Sequence, residues 1–179
     1  MKPIVQREDP VLRQKAKEVL PEEIRSTKIR SVIDGMKKVL ATQPDGIAIA
    51  APQIGESLRI FLVSGALLKE VDPKFGGDGS DLIFINPEII KRSKTKKSVE
   101  EGCLSVRWLY GLVRRSTQVT LEALDENGMP ITRGASGILA QIFQHEVDHL
   151  DGILFTDHAE DVWEMTDEEI EQLQKKSKS

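Results

Sequence analysis

His145-Glu146-Val147-Asp148-His149 is the run most able to do chemistry. On a helix, residues four apart lie on one face a turn apart, so two imidazoles can grip one metal ion from the same side. Glu146 is rotated about 100° from His145 and falls off that ligand face, but can reach a water beside the ion and serve as its base. Ile138 and Ile142 extend the histidine face toward the helix start, so that face points inward. Buried imidazoles need partners. The plainer reading is a helix with two satisfied histidines and a surface glutamate.

A catalytic site of this kind uses three protein ligands and leaves a position for water. The metzincin spacing puts its next ligand at Phe155, which cannot bind metal, and His158 comes three residues too late. Glu160 and Glu164 are downstream carboxylate candidates. Upstream stands Cys103, the chain's one thiol, in Glu101-Gly102-Cys103-Leu104-Ser105. Thiolate suits iron(II), zinc and neighbouring metals. Alternatively Cys103 is a buried structural cysteine. Gly102 lets another chain approach the backbone closely.

These residues must be positioned by the elements around them. Asp9-Pro10 predicts a helical stretch to about Val19, with Asp9 as cap. Ile29, Val32, Ile33, Met36 and Leu40 form one stripe of a helix from about Glu22 to Leu40. Strands are expected at Gly46–Ala51, Arg59–Val63, Leu82–Ile85, Val99–Val106, Leu112–Arg115, Gln118–Leu124 and near Pro130–Thr132. Pro73, Gly76, Gly77 and Gly79 mark a loop over Val71–Ser80. The HExxH helix should start near Gly134–Ser136 and reach about Leu150. Thr166 and Glu169 form a capping box for a tail helix, and Lys175–Ser179 should fray. The order implies an α+β fold, small mixed sheets wrapped around the late helix.

Three separated motifs, Gly46-Ile-Ala-Ile-Ala-Ala-Pro-Gln53, Glu101-Gly-Cys-Leu-Ser105 and Gln144-His-Glu-Val-Asp-His-Leu-Asp-Gly152, resemble those of the peptide deformylases in order and spacing. Asp9-Pro-Val-Leu-Arg13 and Asn86-Pro87-Glu88 add to the likeness, which runs from about Ile4 to Phe155. The resemblance implies hydrolysis of the formyl group from the N-terminal methionine of new polypeptides. It implies one divalent ion on Cys103, His145 and His149 with water as fourth ligand, iron(II) as the native metal, and zinc, nickel or cobalt as possible occupants. It implies Glu146 as general base and then acid, and an oxyanion site built from the Gln53 amide and the Leu104 backbone N–H. Ile47, Ile138 and Ile142 would hold the methionine side chain, and the backbones around Ile47 and Gly102 would pair with an extended peptide. Formylmethionyl nascent peptides are the implied partners, with the ribosome a further candidate.

The sequence departs from the family pattern twice near the cleft. Ala48 stands where a second glycine is common, and its methyl would crowd the substrate backbone. Val106-Arg107-Trp108 replaces a segment that often holds proline and glycine.

The 179 residues suit one domain, with a family-like core over about 4–155 and a tail over 156–179. A hydrophobic share of 39% and a charged share of 30% fit a soluble globular protein. The net charge of −4 and mixed signs argue against a nucleic-acid surface, since Lys94, Lys96 and Lys97 are followed at once by Glu100 and Glu101. No run of about 18 apolar residues occurs, and because no apolar run follows Lys2 in Met1–Asp9 no signal peptide is expected there. A single cysteine excludes an internal disulfide and suits a reducing compartment, so the cytoplasm is expected.

Overall fold

The HExxH segment lies on α3 (Gly137–Leu150), which buries Leu139, Phe143, Val147 and Leu150 against a five-stranded sheet. The computed structural model describes residues 3–43, 45–74 and 78–176. The sheet runs in the order β1 (Ala48–Ala50), β2 (Ile60–Val63), β3 (Leu82–Arg92), β6 (Gln118–Leu124), β7 (Pro130–Ser136). A second, three-stranded sheet has the order β4 (Lys96–Gly102), β5 (Leu109–Ser116), β8 (Glu160–Glu164). Every strand pair is antiparallel, and the parallel pairing among the described residues is the isolated Lys17–Leu58 bridge.

Both faces of the larger sheet are covered at β1, β2 and the start of β3, which explains the unbroken apolar run of β2. Alternate residues of a strand point to opposite faces. Phe61 and Val63 therefore face α3, where Phe61 stacks on Phe84 at 4.7 Å and Phe143 meets Phe84 edge-on at 5.0 Å. Ile60 and Leu62 face the other way, onto the stripe Ile29, Val32, Ile33, Met36 of α1 (Thr27–Leu40). Burying each such side chain contributes about 2 kcal/mol.

Several boundaries differ from the sequence-based expectation, each for a local reason. The stretch after Asp9 is one 3-10 turn, Pro10–Arg13, capped by the Asp9 carboxylate on the Val11 N–H at 3.0 Å. It does not continue to Val19 because the following N–H groups find partners elsewhere: Ala16 on the Leu150 carbonyl, Lys17 on that of Ser57, Val19 on the Asn86 side chain. α1 starts at Thr27, not Glu22, since Pro21–Glu23 closes its own turn and Ser26 caps the helix at the Ile29 N–H. β3 runs through Asn86-Pro87 by a register shift between Ile85 and Glu88, a bulge that spares proline a ladder bond.

β4 begins and ends earlier than expected, because Cys103–Ser105 leaves the ladder in a turn. β5 is longer than expected, and β7 extends to Ser136, where α3 begins. The helix α2 (Gly65–Val71), capped by Ser64, and the strand β8 were not anticipated. Part of the expected glycine-rich loop, and the last three residues of the expected frayed end, lie outside the described residues. The Thr166–Glu169 box opens α4 (Asp167–Lys176): the Thr166 hydroxyl accepts from the Glu169 N–H, and the Glu169 carboxylate accepts from the Thr166 N–H. Among the described residues no helix is long and apolar enough to cross a membrane.

Candidate active site

Two elements from different parts of the chain meet here. α3 offers His145 and His149 from one face, their rings 5.0 Å apart. The turn after β4 brings Cys103 to them, with Sγ 3.1 Å from Nε2 of His149. One ligand atom from each of the three residues lies within 4.8 Å of the others. That is a cluster of one sulfur and two imidazole nitrogens, a donor set suited to a divalent transition metal.

A buried charge network orients the cluster from behind. Arg115 on β5 grips both oxygens of Glu101 at 2.7 and 2.9 Å, and its other branch reaches Asp148 at 2.5 Å. Glu101 Oε2 lies 2.9 Å from Nδ1 of His145. An ionised carboxylate only accepts, so Nδ1 carries the proton and Nε2 is left for the donor cluster. Burial pushes the Glu101 carboxyl up, but the hydrogen bonds from Arg115 and His145 outweigh it and hold the group at about 2. Without an ion, burial likewise raises the Cys103 thiol, yet the two imidazoles bring it well below its ordinary value. His145 moves the other way: burial lowers its pKa, while Cys103 and Glu101 raise it well above the usual imidazole range.

Glu146 is buried beside the pair, 4% exposed. Burial is the main cause of its elevated pKa, about 7, with the histidines opposing and Cys103 adding. Among the described residues, its Oε2 and the Nδ1 of His149 have no hydrogen-bond partner. A buried carboxylate oxygen without a donor, facing a thiol and two imidazoles, fits a site that takes a cation and a water.

Gln53 enters from the first motif. Pro52 lies in the first turn of a short 3-10 helix, Ala51–Ile54, and the side-chain Oε1 of Gln53 accepts from the Ala50 N–H at 2.8 Å. This fixes the amide so that Nε2 points at Cys103 Sγ, 3.5 Å, and Ser105 Oγ, 3.2 Å. The Ser105 N–H also points at Sγ, at 3.4 Å. Leu104 sits between them, its carbonyl held by Gln6 Nε2 at 3.1 Å.

A cleft opens in front of these groups. Ile47, Ala48, Gly102, Ile138 and Ile142 line it together with Gln53, His145 and Glu146. The close approach at Gly102 comes from within the chain: a Cβ there would lie 2.5 Å from the Tyr110 ring of β5. Ala48 both lines the cleft and packs in the core beneath it.

The downstream alternatives do not join the site. Glu160 and Glu164 are exposed on β8, paired to β5, and His158 is exposed after the Phe155–Asp157 turn. Their strand hydrogen-bonds to the far side of β5 from Cys103, which rules out the carboxylate-ligand reading. Glu101, Ser105, Arg115 and Asp148 were given no role from sequence. Glu101 and Ser105 flank the cysteine and Asp148 lies inside HExxH, which was a usable signal; for Arg115 there was none.

The sequence model of the polypeptide deformylase family matches residues 1–164. The chain is 42% identical over 151 residues to Peptide deformylase 2 of Clostridium acetobutylicum, covering 84% of this chain and 89% of that protein. It is 45% identical over 150 residues to Peptide deformylase of Halothermothrix orenii, with 83% and 87% covered. Among solved structures, the actinonin-bound class I type b peptide deformylase from Acinetobacter baumannii superposes at a TM-score of 0.77 and 32% identity, covering 88% of this chain and 97% of that one. The Met-Ala-Ser-bound form of that enzyme gives 0.77 and 33%, with 87% and 97% covered. The family model over residues 1–164 and relatives of this identity and coverage show that the chain belongs to the peptide deformylase family.

Proposed function

We propose that this deformylase works through one divalent metal ion held by Cys103, His145 and His149, with Glu146 moving the proton. The observation that carries the reading is the convergence of those three donors beside a buried carboxylate with an unpartnered oxygen. Held by Cys103, His145 and His149, a divalent ion would supply Lewis-acid chemistry for the hydrolysis. Glu146, buried beside the donor cluster, takes a proton from the attacking water and delivers it to the departing methionine nitrogen. Water adds to the formyl carbon, the C–N bond breaks, and formate and a free amine result.

Charge builds on the formyl oxygen as water adds. Gln53 Nε2, held in place by the Ala50 N–H on its other end, is one donor to it, and the Leu104 backbone N–H is the second. Ile47, Ile138 and Ile142 hold the unbranched methionine side chain, and the main chain near Ile47, Ala48 and Gly102 pairs with the peptide. A thiolate with two imidazoles suits iron(II), which the family resemblance also favours, with zinc, nickel or cobalt as possible occupants. The substrates are N-formylmethionyl nascent peptides, met at the ribosome in a reducing cytoplasm that preserves Cys103. The described residues read as one metallohydrolase domain, with a family-like core over about 4–155 and a tail after it.

The test is formate release from formyl-Met-Ala-Ser by protein purified without oxygen. Turnover should vanish on chelation and return with iron(II). A protein that stays inactive with iron, nickel, cobalt and zinc alike refutes the reading.

A further inference from the structure

Arg107 stands where the family often has a proline-glycine segment, and its guanidinium links the segment after Cys103 to the connection that precedes β1. It forms a two-pronged ion pair with Asp45, the second prong at 3.2 Å, and adds Gln43 at 2.9 Å. Gln43 and Asp45 lie in the connection between α1 and β1, directly before Gly46 and the cleft residues Ile47 and Ala48. Arg107 lies four residues after Cys103, on the opposite lip, and both charged residues line the cleft. The pair is shielded, with side chains only 19% and 15% exposed, so its attraction is weakly screened. The guanidinium also lies 4.6 Å over the Trp108 ring, and the Arg107 N–H points to Gln6 Oε1. The contacts with Asp45, Gln43 and the Trp108 ring hold the guanidinium, while the one with Gln6 holds the Arg107 backbone.

We propose that Arg107 is a positioning residue for substrate binding: its clamp on Asp45 and Gln43 sets the separation of the two cleft lips at the width an extended peptide requires. Peptide pairing by main-chain hydrogen bonds tolerates little error in strand separation, since N–H···O contacts weaken quickly beyond about 3.2 Å. The clamp acts on how the peptide is held and leaves the donors around Cys103 untouched, so its loss should appear in KM and spare kcat. This rests on the deformylase reading above.

The experiment measures kcat and KM for formyl-Met-Ala-Ser, and binding of the product Met-Ala-Ser by calorimetry, with the metal-loaded protein. Arg107→Met should raise KM about tenfold and weaken product binding to match, with kcat within about twofold. Arg107→Lys keeps charge but loses the fork and should fall between. The exchanged pair, Asp45→Arg with Arg107→Asp, should recover most of the lost binding, which a generally loosened fold would not. The inference is overturned if Arg107→Met leaves KM and product affinity unchanged, if kcat falls as far as KM rises, or if the exchanged pair binds no better than Arg107→Met. Wild-type turnover in the same assay separates these outcomes from a failure of the deformylase reading itself.

Discussion

Oε2 of Glu101 lies 2.9 Å from Nδ1 of His145 and decides which ring nitrogen faces the donor cluster. The same carboxylate is gripped by Arg115, which also holds Asp148 on α3. One buried anion thus ties the strand before Cys103 to the helix that carries both histidines.

Glu101→Gln should weaken metal binding about 10- to 100-fold, the usual cost of losing an outer carboxylate behind a ligating histidine. It also leaves Arg115 half-paired, destabilising the metal-free protein by about 3 kcal/mol. The pH dependence has a definite sign. The folded carboxyl sits at about 2 against an ordinary 4.5. Its contribution is therefore complete above pH 4.5 and is lost as pH falls toward 2. Urea unfolding from pH 5 down to 2 should show a flatter loss in the variant, and chelator competition gives the affinity. Equal affinity in both proteins would remove Glu101 from the site.

Gln53→Glu isolates the donor end of the amide. The new side chain can still accept from the Ala50 N–H, so the turn is kept, but an oxygen replaces Nε2 opposite Cys103 and Ser105. Loss of one preset donor to a developing oxyanion costs about 100-fold in kcat. Steady-state kinetics with formyl-Met-Ala-Ser should show that drop with KM little changed. A kcat within twofold of wild type would assign Gln53 to structure alone.

The site was more legible than the fold around it, for a physical reason. His145 and His149 are four residues apart, so helical period alone aligns them, and Cys103 was the one remaining soft donor. Gln53 and Leu104 became readable only through the family motifs. Arg115 could not be found, because its role comes from β5 lying beside β4, a pairing between residues 14 apart that no local pattern encodes. The missed strand β8 is exposed throughout and shows no alternation of burial; it forms because β5 offers it an open edge. The shortened helix after Pro10 failed likewise, through tertiary acceptors that outcompeted a local helix.

Gly102→Ala tests the contact behind the cleft wall. The added methyl would sit 2.5 Å from Cε1 of Tyr110, whose ring stacks on Trp163 of β8 at 6.5 Å. The ring must move, at about 1–3 kcal/mol for such overpacking. Urea midpoints should show this loss in the single variant and its relief in Gly102→Ala with Tyr110→Ala. If the double variant shows no relief, the glycine is required for some other approach.

Glu146→Gln should separate chemistry from stability, because the same burial that makes the carboxyl a base also destabilises its ionised form. Its folded pKa is about 7 against an ordinary 4.5. Between those values the native state holds more protons than the unfolded chain, so stability falls as pH rises through the window and the loss is complete above 7. The shift corresponds to about 3 kcal/mol. Metal-free Glu146→Gln should therefore match wild type near pH 4 and exceed it by about that amount at pH 8. A divalent ion beside the carboxylate offsets the burial cost, so the gap should narrow in the metal-loaded proteins. The variant should bind metal normally yet release formate at least about 100-fold more slowly, since glutamine cannot carry a proton. Urea unfolding at the two pH values, with and without metal, reads the first effect, and the formate assay reads the second. A variant less stable than wild type at pH 8 without metal, or one with near-normal turnover, would contradict the assignment of Glu146 as a buried base.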